Sequence, residues 1–338
     1  MNATLQCLVH IQKLTNYFLN PEKQQKILSN KKKYRLTIAY FEVLKNLWKN
    51  NSIKFYSPVD FKNVISEMNP LFAGIQANDS KDLILFLLET MHNELNKANK
   101  INPPNEVINQ YDYDQTLKLF IKYFQNNYQS IISDIFYGMY NSTMKCLNCT
   151  IVTHNIQCYN ILIFPLEEVK KYRNQMLSFN NMNLNMGNMN NMVSMFECFY
   201  FNQKSDYFTG DNKNYCNICK QLYDSVYTSK IFTSPNVLII ILNRGKGNVY
   251  NIKLDFALQM DISDFVLLKD GKQIYNLYGV ITHLGKSGPD AHFIASCKSP
   301  VDNKWYRYND AFVDPINDLK KEMIDYGTPY ILFYEKQK

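Results

Sequence analysis

From Asn2 to about Ser130 the apolar residues recur three and four positions apart. Leu5, Leu8 and Val9 make one such stripe, and Leu83, Leu85, Phe86, Leu88, Met91 and Leu95 make a longer one. That period turns one face of a helix toward a core, so this part of the chain is expected to be a helical subdomain. After Ile131 the pattern changes to short β-rich runs: Val237 to Leu242, Tyr275 to Thr282, His292 to Cys297 and Tyr330 to Tyr334. Helices first and strands afterwards predict an α+β fold. Residues 174–195 break both patterns. They are rich in Asn and Met with little periodicity, and a polar tract of this kind buries too little apolar surface to offset chain entropy. The expectation there is a disordered insertion loop.

Across its 338 residues, 46% are hydrophobic, enough for a sizeable core. No run of eighteen or more uncharged apolar residues occurs, and the first residues lack the basic and apolar segments of a secretory signal. The expectation is therefore a protein without a membrane span, resident in the cytoplasm or nucleus. The formal charge of +7 is spread along the chain, with Lys31-Lys32-Lys33 as its densest cluster, which argues against nucleic acid as the partner.

Two of the sequence's features carry chemistry. Cys146-Leu147-Asn148-Cys149 and Cys216-Asn217-Ile218-Cys219 each put two thiols on one tight turn. In a chain without an export signal, two such pairs suggest metal rather than disulfides, and four sulfurs suit a closed tetrahedral Zn2+ site. With every ligand a cysteine, no coordination position is left for water, so such a zinc would be structural. His154, Cys158 and Cys198 lie nearby in sequence and read as ordinary core or surface residues. The other feature is a hairpin expected to centre near Pro300 and Val301, which would set His292 opposite Asn309. An Asn oxygen can accept a hydrogen bond from one ring N–H, fixing the tautomer and leaving the other nitrogen as a base, the arrangement that generates a thiolate in cysteine hydrolases. A structural hydrogen bond has the same appearance in sequence, and His283 competes as the base. Cys7 sits on the apolar stripe of the first helix, where a buried thiol is inert.

Ordered motifs along nearly the whole chain resemble the ubiquitin-specific protease family of cysteine deubiquitinases. Met1-Asn2-Ala3-Thr4-Leu5-Gln6-Cys7-Leu8 is similar to the end of that family's Cys box, in which G-N-T-C-(Y/F) is followed by M-N-A/S-x-L-Q-x-L. Tyr56-Ser57-Pro58, Asn69 to Gly74 and Asp79-Ser80-Lys81-Asp82-Leu83 follow in order, the last resembling Q-Q-D-A/S-x-E-F with Ala77 and Asn78 in place of the glutamines. Phe136-Tyr137-Gly138 leads into the first cysteine pair, Gly210-Asp211-Asn212 precedes the second, and Leu242-Asn243-Arg244 resembles L-K-R. The His box is matched by Tyr275 to Val280, His283 with Gly285, His292-Phe293, Trp305 to Asp310, and Tyr330 to Tyr334. Ala291 departs from the family's usual glycine before the histidine.

The resemblance implies a papain-like fold shaped as a right hand: a thumb from residue 1 to about 130, then zinc-tipped fingers and a β palm over about 131–338. It implies His292 as base, Asn309 as its orienter and Asp310 as an acidic follower, with Asp79, Phe293 and Trp305 at the substrate. Ubiquitin and ubiquitinated proteins are the implied partners, and His283 falls at a position that is not the base. The family's nucleophile stands two residues before the methionine that is Met1 here, and its oxyanion asparagine earlier still. Read literally, the 338 residues would be inactive, either because the sequence starts at an internal methionine or because the protein binds ubiquitin without cleaving it.

Overall fold

The computed structural model describes residues 1–49, 55–74, 78–98, 109–179, 191–244, 252–285, 292–326 and 328–337. The helical part comprises α1 (Asn2–Val9), α2 (Gln12–Leu19), α3 (Pro21–Leu28), α4 (Arg35–Lys49), α5 (Val59–Met68), α6 (Ser80–Leu95), α7 (Tyr113–Asn127) and α8 (Ile131–Phe136). The remainder runs β1 (Gly138–Cys146), β2 (Val152–Tyr159), β3 (Leu162–Pro165), α9 (Leu166–Phe179), β4 (Met192–Ser194), α10 (Met195–Asn202), β5 (Ser205–Phe208), β6 (Asn214–Cys216), β7 (Gln221–Tyr223) and β8 (Ser225–Thr233). It closes with β9 (Val237–Asn243), β10 (Lys253–Asp255), β11 (Gln259–Asp261), β12 (Ile274–Leu284), β13 (His292–Lys298), β14 (Trp305–Asn309), β15 (Phe312–Ile316), α11 (Leu319–Tyr326) and β16 (Thr328–Lys336).

Local signals set the helix starts. Asn20 accepts from the Lys23 amide at 3.1 Å with Pro21 at the first helical position of α3, and Asp79 accepts from the Lys81 amide at 2.8 Å to open α6. Reciprocal capping boxes start α8 (Ser130 with Ser133) and α10 (Ser194 with Glu197). The helical run extends to Phe136, six residues past the expected boundary, and helices α9, α10 and α11 interrupt the part expected to be β-rich. Of the segment 174–195 expected to be disordered, residues up to Phe179 complete α9, and Met192 to Met195 form β4 and the start of α10. Residues 180–190 lie outside the described residues.

A large sheet in the order β15-β14-β13-β12-β16-β9-β3, with β11 added beside β12, divides the core in two. On one face Val237, Ile239, Ile241, Ile331 and Phe333 pack under the helices α1 to α6 and α8. On the other, Leu238, Ile240, Leu242, Leu332 and Tyr334 meet α9 and α10. This explains why Val237 to Leu242 is an unbroken apolar run: a strand covered on both faces has no polar side. Each such fully buried side chain contributes on the order of 1.5–3 kcal/mol. A second sheet, β2-β1-β8-β5, reaches away from this core and carries at its end the small β6-β7 hairpin.

Candidate active site and metal centre

The β13-β14 hairpin pairs Lys298 with Trp305 and Ala295 with Tyr308. Its centre therefore falls one position later than the sequence suggested, and continuing the register puts Ile294, not His292, directly opposite Asn309. His292 is nevertheless on the same face as Ile294, two residues along, and the diagonal is short enough for the side chains to meet. His292 Nε2 donates to Asn309 Oδ1 at 2.7 Å, and Asp310 Oδ2 lies 4.0 Å from the same nitrogen. The proton is thereby held on Nε2, leaving Nδ1 with the lone pair. The imidazole is 42% exposed, accessible to a reacting partner yet held from behind.

Asp310 is the first residue of the two-residue turn between β14 and β15, with φ of +50°, a conformation that Asp tolerates better than most residues. Its carbonyl accepts from Asn2 Nδ2 at 3.3 Å, which ties the start of α1 to this turn. Met1, Asn2, Lys62, Asp79, His292 and Phe293 are among the residues lining one cleft of about 230 Å3 between the helical half and the sheet. Four of the five expected residues apart from the orienter, namely His292, Asp310, Asp79 and Phe293, thus share the cleft, and Asn309 stands behind it. Trp305 does not. It begins β14 at the end remote from Asn309 and packs with Ile316 against the second core. Four residues of extended strand, about 13 Å, separate the two positions.

The competing candidates separate cleanly. His283 is buried on β12, its ring edge-on to Phe293 at 5.0 Å, and burial lowers its pKa against the opposing influence of Asp79. Cys7 is fully buried with its sulfur 3.7 Å from that of Cys297, and burial pushes its thiol well up. Cys158 is raised to about 12 by burial and Cys198 is buried in α10. His154 lies on β2 with its ring against Tyr113.

At the far end of the smaller sheet, the sulfurs of Cys146, Cys149, Cys216 and Cys219 all lie within 4.8 Å of one another, and these four could hold a metal ion. Ligands at about 2.3 Å from a tetrahedral zinc stand about 3.8 Å apart, and the Cys149 and Cys216 sulfurs are separated by 3.6 Å. Both halves use the same backbone device. Thr150 and Lys220, each directly after the second cysteine of its pair, have φ of +61° and +57°. This left-handed residue curls each turn so that both thiols face inward. The Cys219 amide donates to Cys216 Sγ at 3.5 Å and holds that thiol below its ordinary range, favouring the thiolate form.

Sequence reasoning did not anticipate Asn2 or Lys62 at the cleft, nor Tyr330 against Asp79. Tyr330 donates to Asp79 across 251 positions of sequence. No local pattern announces such a contact.

Comparison with known proteins agrees with this geometry. The family model described as ubiquitin carboxyl-terminal hydrolase matches residues 1–334. Ubiquitin carboxyl-terminal hydrolase 21 of Rattus norvegicus is 25% identical over 358 residues, covering 99% of this chain and 59% of that protein. Ubiquitin carboxyl-terminal hydrolase 2 of Homo sapiens is 26% identical over 345 residues, covering 99% and 53%. The chain thus spans a little over half the length of these curated relatives. Among solved structures, a chain of the SAGA DUB module Ubp8/Sgf11/Sus1/Sgf73 bound to monoubiquitin superposes with a TM-score of 0.68 at 18% identity, covering 100% of this chain and 66% of that one. The module bound to ubiquitin aldehyde gives 0.66 at 18% identity, with 100% and 67% covered. At such identities the likeness establishes the fold, which is papain-like, with thumb, palm and fingers. From the match over residues 1–334, the chain belongs to the ubiquitin carboxyl-terminal hydrolase family.

Proposed function

We propose that this chain is the catalytic domain of a thiol-dependent deubiquitinase that hydrolyses the isopeptide bond after the C-terminal glycine of ubiquitin. The observation that carries the reading is the 2.7 Å bond from His292 to Asn309 at the mouth of a cleft between the two halves of the fold. In this reading His292 Nδ1 removes the proton from an attacking thiol and the thiolate adds to the glycine carbonyl. The imidazolium then protonates the departing lysine amine. A water molecule, deprotonated by the same nitrogen, clears the acyl-enzyme and restores the thiol. Asn309 keeps the ring in the working tautomer, Asp310 adds negative charge beside it, and Asp79 and Phe293 receive the Gly-Gly tail. Trp305 supports β14 from the second core.

No cysteine among the described residues faces His292. Resemblance to the Cys box assigns the nucleophile to the second residue before Met1, and Met1 and Asn2 line the cleft beside His292. Two residues of chain span up to about 7 Å from Met1, which lines the same cleft as His292. We further assign Zn2+ to the four cysteines, where it would pin the tip of the fingers sheet and take no part in the chemistry. The helical thumb would comprise residues 1 to about 130, and the fingers and palm the remainder.

The test is capture by a ubiquitin probe carrying an electrophile at its C-terminus. Protein extended through the codons upstream of Met1 should be captured, and capture should be lost when the upstream cysteine is changed to alanine or His292 to Ala. Ubiquitin binding without capture by the extended protein would replace this reading with a non-cleaving ubiquitin-binding protein.

A further inference from the structure

Asp79, which lines the cleft, makes a side-chain contact with the sheet that the catalytic reading does not use. Tyr330 Oη, on β16, stands 2.9 Å from Oδ1 and 2.7 Å from Oδ2 of Asp79 at the start of α6, so its single proton is donated to the carboxylate in one shared hydrogen bond. We propose that Tyr330 is a positioning residue for substrate binding: it holds the Asp79 carboxylate as a fixed acceptor for a donor on the ubiquitin tail. The proposal rests on the ubiquitin-cleaving reading above.

Three observations support it. An ionised carboxylate offers about four acceptor positions, and here the Lys81 amide and the Tyr330 hydroxyl are two donors to Asp79. Acceptor capacity therefore remains for an incoming amide or cationic side chain, in a cleft that Asp79 lines together with His292. Next, the helix-cap bond alone would leave the carboxylate free to swing about its own side-chain torsions. The Tyr330 hydroxyl, donating from β16, adds a second restraint, and a charge-assisted bond of this kind is short and strong. Finally, Tyr330 is itself fixed, its ring 5.7 Å from that of Phe293, the residue following His292. Asp79, Tyr330 and Phe293 thus form a continuous link from the acceptor to the strand that carries the base. Losing the hydroxyl while keeping the ring should affect tail binding and leave the base in position.

The experiment compares intact ubiquitin with ubiquitin lacking its C-terminal tail, as ligands of the 338-residue chain, by titration calorimetry. Wild type should bind the intact form more tightly. Tyr330→Phe should shrink that preference by about tenfold, the usual scale for one hydrogen bond to a charged group, while binding tail-less ubiquitin as wild type does. In the extended, active protein the same substitution should raise KM with kcat within about twofold, and adding Asp79→Asn should raise it little further. An unchanged preference in Tyr330→Phe overturns the proposal, as does a lower Tm with the preference intact, which would mark the bond as structural only. Wild type that binds ubiquitin without distinguishing the tail also overturns it and leaves ubiquitin binding standing. Wild type that binds neither form removes the underlying reading as well.

Discussion

Asn309→Ala isolates the contribution of the orienting residue. The bond it removes is a neutral N–H···O contact of 2.7 Å to a ring that is 42% exposed. Such a bond is worth about 0.5–1.5 kcal/mol net. With tenfold in an equilibrium per about 1.4 kcal/mol, the working tautomer and ring orientation are favoured roughly two- to twelvefold by Asn309. Asp310, 4.0 Å from the same nitrogen, is the acceptor that remains. The expected fall in kcat of the extended protein is therefore about tenfold, with KM nearly unchanged, and Asn309→Ala combined with Asp310→Ala should fall further. Asn309→Asp keeps the acceptor and should retain more activity than Asn309→Ala. The assay is hydrolysis of a fluorogenic ubiquitin C-terminal conjugate between pH 5 and 9. It is paired with imidazole nitrogen NMR on the 338-residue chain, which reads the tautomer without needing a nucleophile. Activity of Asn309→Ala within twofold of wild type, with the His292 tautomer unaltered, would refute the reasoning.

Three further outcomes are expected. Removing metal with a chelator, or Cys216→Ser, should lower Tm and open the β6-β7 end of the smaller sheet to limited proteolysis, and re-addition of Zn2+ should reverse the chelator's effect; chelator-treated protein with unchanged Tm and cleavage pattern would exclude a structural metal. Gly138→Ala should destabilise by about 1–3 kcal/mol in urea unfolding, because a Cβ there would stand 2.6 Å from both the Thr233 carbonyl and the Tyr159 ring; a midpoint equal to wild type would contradict that packing. Burial lowers the pKa of His10, His92 and His283. The unfolded chain then binds more protons than the folded one below about pH 6.5. Tm should fall on acidification from pH 7.5 to 5.5, less steeply in His10→Gln, and a Tm that rose over that range would reverse the assignment.

Much of this fold was legible because burial imposes a period. α6 shows it: Leu83, Leu88, Met91 and Leu95, all read as core from their spacing, are buried. Leu85, counted in the same stripe, is 37% exposed, since one helix face cannot hold every apolar residue in so dense a segment. α9 escaped notice for the opposite reason. Among its fourteen residues Leu166 and Val169 are the fully buried apolar anchors, too few to make a period stand out. The four cysteines were legible as a metal set because their chemistry is written in residue type. The left-handed turns at Thr150 and Lys220 were not, because neither residue type advertises a positive φ.

The pairing of His292 with Asn309 was reached through a register that is displaced in the structure, and the reason it survives is general. A hairpin whose centre moves by one position changes the residue opposite any given site by two. Side chains alternate with a period of two, so every residue keeps its face. The displaced partner becomes a diagonal neighbour, still within reach of two side chains as long as histidine and asparagine. A centre displaced by half a position would have moved the opposite residue by one and turned Asn309 to the other side of the sheet. Sequence therefore specified the face shared by the two residues through the strand period alone, since Ile294 to Cys297 are buried on both faces of β13. The contact itself was left to the Ser299–Lys304 turn, where the Ser299 amide donates to the Lys304 carbonyl at 2.8 Å and fixes how far β14 slides along β13. Lengthening that turn by one residue should accordingly separate His292 from Asn309 more surely than substitution of any residue within it.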